Sequence, residues 1–304
     1  MRLRLGTRGS ELARRQAGMV AELAIVAGHE VELVTVVTEG DLRTADTPWG
    51  EGVFVGALEA ALRRDEIDLA VHSAKDVPIE PEEDLTIAAY PLREDARDAL
   101  VTRDRAATLD DLPNAASVGT DSPRRSGFLR AVRPDLRIVP LHGNVDTRLR
   151  RLDAGEVDAL VLAVAGLQRL GRSDRIGLRF DPEIMAPAPG QGALAVQVRA
   201  ADGAAREAVS AFDDHSTRCA VELERAVLEI AGGGCRAPLG ALAWFEGTRL
   251  TALASAAAPD GSWRAVHRWE GAAEAASVGA AHLAGALIAS GYRKVVPATS
   301  APVA

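Results

Sequence analysis

The chain is predicted to be an α/β protein, with two α/β units followed by a smaller α+β unit. Three features of the 304 residues predict this. Apolar, β-branched runs alternate with amphipathic helical patterns through the first two thirds, the signature of parallel sheets covered on both faces. The alternation restarts near Asp98, after the charged link REDARD. Past Asp213 the order changes to helix, three strands and a final helix.

The first unit opens with a short strand, Leu3 to Leu5, then the turn GTRGS and an amphipathic helix from Glu11 to about Ala27 that Gly28 stops. Val31 to Thr38 is a β-branched strand. The polar stretch EGDLRTADTPWGEG leads to a helix from about Val53 to Arg64, and the strands IDLAVHS and LTIAAYPL follow. The second unit reads DALVTR, SVGTD, a helix after Pro123, LRIVPLHGN, a helix from about Asp146, and VDALVLAVAGL. MAPAPGQGALAVQVR has the pattern of a return strand after a proline-rich crossover. In the last unit a helix from Cys219 to Ala231 leads through a glycine loop to the strands ALAWFEG, RLTALASA and WRAVHRWEG, and then to an alanine-rich helix.

Composition narrows the function. A net charge of −8 argues against a nucleic-acid scaffold, which needs positive fields. No apolar run reaches the length of a membrane span, and MRLRLGTRGS lacks the apolar block of a secretory signal. Two distant cysteines make neither a disulfide framework nor a zinc site, so no metal is expected. A soluble cytoplasmic protein is the expectation. Of 35 basic residues only Lys75 and Lys294 are lysines, which points to a chemical reason for Lys75.

In open α/β sheets ligands bind beyond the carboxyl ends of strands, and four clusters fall there. Gly6-Thr7-Arg8-Gly9-Ser10 precedes a helix and offers backbone N–H groups to an anion, with Ser10 as cap. His72-Ser73-Ala74-Lys75-Asp76-Val77-Pro78 follows a buried strand; elsewhere such a Lys–Asp neighbour pair is an ordinary solvated pair worth little. Gly119-Thr120-Asp121-Ser122-Pro123-Arg124-Arg125 reads as a cap, a first-position proline and two arginines that oppose the helix dipole. An anion landing on those arginines would offset that opposition; otherwise they are simply solvated. Leu141-His142-Gly143-Asn144-Val145-Asp146-Thr147-Arg148 is again strand to helix, and Arg169 follows the next strand. Arginine forks suit carboxylates and phosphates, so the expected ligand carries several anionic groups.

One stretch lies apart from these. AGGGCRAPLG sets Cys235 behind three glycines, where buried structural cysteines normally sit in apolar runs. The bare backbone lets something bulky approach the sulfur.

In this order, GTRGSELARRQA, VHSAKDVP, REDARDAL, GTDSPRR, RPDL, GNVDTRLRRL, GEVDALVLAVAGLQRLG, PAPGQGAL and GGGCRAPLG resemble the hydroxymethylbilane synthase (porphobilinogen deaminase) family over nearly the whole chain. The resemblance implies a transferase of tetrapyrrole and heme biosynthesis. It condenses four porphobilinogen molecules, with loss of ammonia, on a dipyrromethane cofactor joined by a thioether to the cysteine matching Cys235. It implies Asp76 as the catalytic carboxylate with Lys75 beside it. Arg8, Ser10, Lys75, Thr120, Ser122, Arg124, Arg125, Arg148, Arg169 and Gln191 match positions that hold cofactor or substrate. Cys219 lies in a helical run and is expected to be structural. The implied fold has two periplasmic-binding-protein-like domains flanking a cleft, at 1–93 plus 191–212 and at 97–187, with an α+β domain at 214–304. A monomer with no nucleic-acid or membrane partner is expected. Glu51 and Gly56 stand where some members carry lysines, and His142 where many carry arginine; both changes remove cationic contacts. An anion-binding protein without catalysis and a thiol hydrolase using Cys235 are the two rival classes; only the synthase would carry pyrrole rings on a cysteine.

Overall fold

The computed structural model describes residues 1–37, 55–80, 82–105, 108–234 and 236–293. Its first sheet has the order β2-β1-β3-β10-β4, from β1 (Arg2–Thr7), β2 (Glu30–Thr35), β3 (Leu69–Ser73), β4 (Leu85–Ala89) and β10 (Leu194–Arg199). The strands alternate their side chains between two cores, as a pleated sheet must. Leu3, Leu5, Leu69 and Val71 pack in a cluster with Val20 of α1 (Glu11–Val26) and Val209 of α6 (Gly203–Ser210). Ala70 turns the other way, towards Leu58 and Leu62 of α2 (Gly56–Arg63).

The second sheet, β7-β6-β8-β5-β9, is built from β5 (Asp98–Thr102), β6 (Ser117–Gly119), β7 (Arg137–Val139), β8 (Ala159–Ala163) and β9 (Leu178–Arg179). Leu100 and Val161 meet Phe128 and Leu129 of α3 (Pro123–Val132) on one face. Val101 and Leu160 meet Leu149 and Leu152 of α4 (Val145–Asp153) and Leu167 of α5 (Val164–Arg169) on the other.

Both sheets are mixed, which corrects the expectation of parallel sheets. β1 runs parallel to β2 and β3, and β6 parallel to β7 and β8. β10 is antiparallel to β3 and β4, and β5 antiparallel to β8 and β9. The cause is the chain path. It leaves the first sheet after β4, builds β5 to β9, and re-enters the first sheet as β10. A strand buried on both faces has the same apolar composition in either direction, so sequence periodicity does not report this sense.

The third sheet is an antiparallel meander of β11 (Leu239–Glu246), β12 (Arg249–Ala257) and β13 (Arg264–Gly271), covered by α7 (His215–Ile230) and α8 (Ala276–Ala289). α7 starts four residues before the expected Cys219, because the Asp214 side chain accepts from Thr217 N at 2.7 Å and caps it there. Among the described residues no helix is long and apolar enough to cross a membrane.

One buried carboxylate ties the third unit to both segments that link the first two sheets. Glu224 of α7 accepts from Arg93 Nη1 and Nη2 at 2.6 and 2.9 Å, from Gly190 N at 2.7 Å and from Ala243 N at 2.8 Å. Both its oxygens are used, so full burial leaves no acceptor unsatisfied. Breaking a buried ion pair by removing one partner costs about 3–5 kcal/mol. Glu224→Ala is therefore expected to lower the thermal unfolding midpoint sharply, and an unchanged midpoint in a calorimetric scan would show that the junction contributes little.

Candidate active site

A cavity of about 470 Å³ lies where loops beyond the carboxyl ends of β1 and β3 face those beyond β6, β7 and β8. Among the described residues its wall holds six cations (Arg8, Lys75, Arg125, Arg148, Arg169, Arg236) and four carboxylates (Glu11, Asp76, Asp121, Asp146). The local excess is positive although the chain carries −8. Helix starts supply part of the wall. Ser10 caps α1 by accepting from Ala13 N at 3.3 Å, and Ser122 caps α3 by accepting from Arg125 N at 3.4 Å.

Lys75 and Asp76 sit in a single 3-10 turn, Ala74–Asp76, directly after β3. Asp76 is exposed and lines the cavity. Lys75 Nζ donates to Gln191 Oε1 at 3.3 Å. Burial draws the Lys75 ammonium down to about 8, against the pull of Asp76. His72 of the same motif points into the core, with Nε2 2.9 Å from Gln197 Oε1, and burial lowers it to about 4. It is a packed polar residue.

The two arginines of GTDSPRR do not both face the cavity, which corrects the reading of a pair waiting for a ligand. Both are buried against Asp98, itself wholly buried at the start of β5. Arg124 Nη1 lies 2.8 Å from Asp98 Oδ2 and donates to the Ala186 carbonyl at 2.5 Å. Arg125 donates to Asp98 Oδ1 from Nε and Nη2 at 3.0 and 2.6 Å, and to the Val161 carbonyl at 2.9 Å. Of the two only Arg125 lines the cavity. The anion that offsets cations in the first turn is thus an internal carboxylate. Burial pushes the Asp98 carboxyl up, yet the two guanidiniums outweigh it and hold it well below the usual range. Thr120 is also buried, and its Oγ1 accepts from Ser122 N at 3.2 Å, which shapes the turn.

Gln191 is buried on the return segment before β10. Its Nε2 donates to the Ala96 carbonyl at 2.8 Å and to Asp98 Oδ1 at 3.0 Å, while its Oε1 takes the lysine. The amide links Asp98 to Lys75. Arg148 donates from Nε to the Gly143 carbonyl at 2.8 Å, and Arg169 from Nη2 to the Gly192 carbonyl at 2.7 Å. Burial lowers both guanidiniums to about 10; Arg125 adds to this at Arg148, and Glu94 opposes it at Arg169. Arg169 Nε is buried with no hydrogen-bond partner. His142 Nδ1 lies 3.1 Å from Asp121 Oδ2, so its nearest charged neighbour is a carboxylate of the protein.

Several site residues escaped the sequence reading. Asp98 looked like the polar first residue of an apolar strand. Gln16, one turn into α1, lines the cavity and donates to Ser73 Oγ at 2.9 Å. Arg236 lines it from the residue after Cys235. Cys235, Glu51 and the stretch 39–52 lie outside the described residues. Gly56 begins α2. Cys219 is partly exposed on α7, 3.6 Å from His215 Nε2 and away from the cavity wall, and burial raises its thiol.

A family model described as "Porphobilinogen deaminase, dipyromethane cofactor binding domain" matches residues 3–207. The chain belongs to the porphobilinogen deaminase family. Porphobilinogen deaminase of Acidothermus cellulolyticus is 46% identical over 97% of this chain and 91% of that protein. Those of Mycolicibacterium gilvum and Nocardia farcinica are 49% and 52% identical, each over 79% of this chain, and over 78% and 70% of their own lengths. Among solved structures, the methionine-binding protein MetQ aligns with TM-score 0.47 and 16% identity, over 81% of this chain and 99% of that one.

Arg124→Leu should therefore destabilise the fold by about 3–5 kcal/mol, because Asp98 stays buried with half its pairing gone. Chemical denaturation measures this, and a variant as stable as the parent would free Arg124 for a ligand role. For Lys75 the folded ammonium titrates near 8 and the ordinary one at 10.5. Between those values the unfolded chain holds more protons, so Lys75 makes stability rise with pH across that window. Its pull on an anion fades over the same rise. Calorimetric binding of a multicarboxylate pyrrole should weaken as pH climbs past about 8, and Lys75→Met should remove that component. Parallel profiles for the two proteins would show that Lys75 does not meet the ligand.

Proposed function

We propose that this chain condenses four porphobilinogen molecules head to tail, with loss of ammonia, on a dipyrromethane primer attached to Cys235 by a thioether. Hydrolysis then releases linear hydroxymethylbilane. The observation that carries this reading is a strand-end turn with an exposed carboxylate, Asp76, set in a wall of desolvated cations. Three units at 1–93 plus 191–212, 97–187 and 214–304, acting as a monomer in the cytoplasm, belong to the same reading.

The residues present fit the primer. A dipyrrole with acidic side chains asks for several cations and room at a thiol. Burial has already stripped Arg148 and Arg169 of water, and the orphaned Arg169 Nε lacks an acceptor that a ligand carboxylate would supply. Gly232, at φ +72°, lets the chain leave α7 sharply before the cysteine. Arg236, next along, reaches the cavity wall. When bound, the primer supplies the nucleophilic pyrrole carbon.

The chain's own residues divide the remaining work. Arg8, Arg148, Arg169 and Lys75 bind acidic side chains and orient the rings, with Ser10 and Ser122 holding the helix starts. Arg125 adds to the field, but Asp98 takes much of its charge. None of these cations can stabilise the cationic azafulvene that forms as substrate loses ammonia. Asp76 can: its carboxylate faces the same cavity and favours positive charge on a pyrrole.

Intact mass and peptide mapping should find two pyrrole rings on Cys235 and none on Cys219. An unmodified Cys235 in active protein would overturn the attachment. Asp76→Asn keeps size and removes charge, so the cofactor-loaded variant should release ammonia in a single turnover about 10²-fold more slowly, some 2.7 kcal/mol of barrier. Near-normal release would assign charge stabilisation to another group.

A further inference from the structure

α7 ends in the glycine loop that precedes Cys235, and two adjacent residues of this helix reach out of the third sheet's unit. Glu224 takes Arg93 and the Gly190 amide. Arg225, the next residue, donates from Nη1 to the carbonyls of Ala74 at 3.3 Å and Val77 at 2.9 Å, and from Nη2 to that of Pro78 at 2.6 Å. Those three carbonyls bracket Lys75 and Asp76.

The bracketed turn has little rigidity of its own. A single 3-10 turn has poor hydrogen-bond geometry, and the bond closing this one, Val77 N to Ala74 O, is 3.4 Å long. Among the described residues no hydrogen bond holds the Asp76 carboxylate itself, so its place is set by the backbone beneath it. On one side the turn leans on Gly190, where a Cβ would stand 3.1 Å from the Ala74 carbonyl carbon and the Lys75 nitrogen. Arg225 grips it through its carbonyls.

We propose that Arg225 is a positioning residue. It holds the Asp76 turn at a set distance from the loop that anchors the primer, with α7 as the rigid link between them. Only an arginine meets the geometry: its planar fork donates to separate carbonyls at once, which an ammonium on a flexible stem does not reproduce. The need follows from the reaction. Four successive transfers require the same carboxylate to meet a pyrrole held from the far end of α7, and a misplacement of about 1 Å can cost about 10²-fold in rate. This inference rests on the reading of Asp76 as the charge-stabilising group.

The test uses cofactor-loaded enzyme, with loading verified by intact mass. Arg225→Met should lower kcat about tenfold or more while KM stays within about twofold, the pattern of an interaction lost in the transition state alone. Arg225→Lys should recover part of the loss. In an Asp76→Asn background, Arg225→Met should add little, since the group it aims is gone. Wild-type kcat in loaded Arg225→Met overturns the proposal. An equal further loss in the Asp76→Asn background also overturns it and marks Arg225 as merely structural. If Arg225→Met does not fold, Arg225→Gln and Arg225→Lys decide by the same two measurements. Normal turnover by Asp76→Asn alone would instead remove the reading on which the proposal rests, and the proposal with it.

Discussion

A single buried carboxylate, Asp98, organises the cleft. It stands where the chain enters the second sheet, it receives both arginines from the start of α3, and it meets Gln191 on the return segment. Three buried charges would be costly apart, because each loses its hydration. Together they are bonded on nearly every side: Arg124 to Ala186, Arg125 to Val161, and Gln191 to Ala96 and Lys75. The two crossings between the sheets are thus tied to one point, and so are the capped helix start with Ser122 and the lysine of the Ala74–Asp76 turn.

This arrangement divides the cations into two classes. Arg124 and Arg125 have a permanent anion. Arg148, Arg169 and Lys75 hydrogen-bond to carbonyl or amide oxygens, with carboxylates acting on them only at longer range, and burial drags all three downwards. Desolvated cations without a directly bonded carboxylate are costly by themselves and favourable for a ligand with several carboxylates. Each further porphobilinogen adds acidic side chains while the set of cations stays constant. His142 lies 3.1 Å from Asp121 Oδ2, so a carboxylate of the protein stands beside its ring.

Much of this was legible in the sequence, for identifiable reasons. Strand and helix periods are local, so α1, the sheet strands and the meander of the third unit could be read directly. Caps are local too: Ser10 and Ser122 stand where the pattern puts them. The sense of β5 and β10 was hidden, because doubly buried strands look alike in both directions. The fate of Arg124 was hidden for a different reason. Its partner Asp98 lies 26 residues earlier in a separate element, and the conflict of two arginines with a helix dipole says that an anion is near without saying whose. Asp98 itself carries no local signal at all. Glu224 and Arg225 look like ordinary charged residues in an amphipathic helix, and only the packing of α7 against 74–78 and Gly190 gives them work.

The third unit touches the other two by different means, and the contrast bears on how the cleft keeps its width. Against the second sheet's unit it packs backbone to backbone. A Cβ on Gly127 would stand 2.9 Å from the Ala258 oxygen, and one on Gly261 would stand 2.6 Å from the backbone of Arg130. Leu253 and Ala257 of β12 share a core with Phe128. Contacts that close leave no play, since interiors packed to this density do not deform continuously. Towards the first sheet's unit it packs side chain to side chain, with Val221 of α7 in a buried cluster with Ala74, Tyr90, Ala193 and Ala195, and it adds arginines: Arg218 to the Ala88 carbonyl at 3.0 Å, and Arg225 to the 74–78 carbonyls. The third unit is therefore seated on both walls of the cleft, by close backbone contacts on one and by an apolar cluster flanked by arginines on the other. Contacts on both walls fix their separation. A cavity for a bulky, charged ligand can then persist between two sheets that would otherwise gain apolar burial by closing on each other.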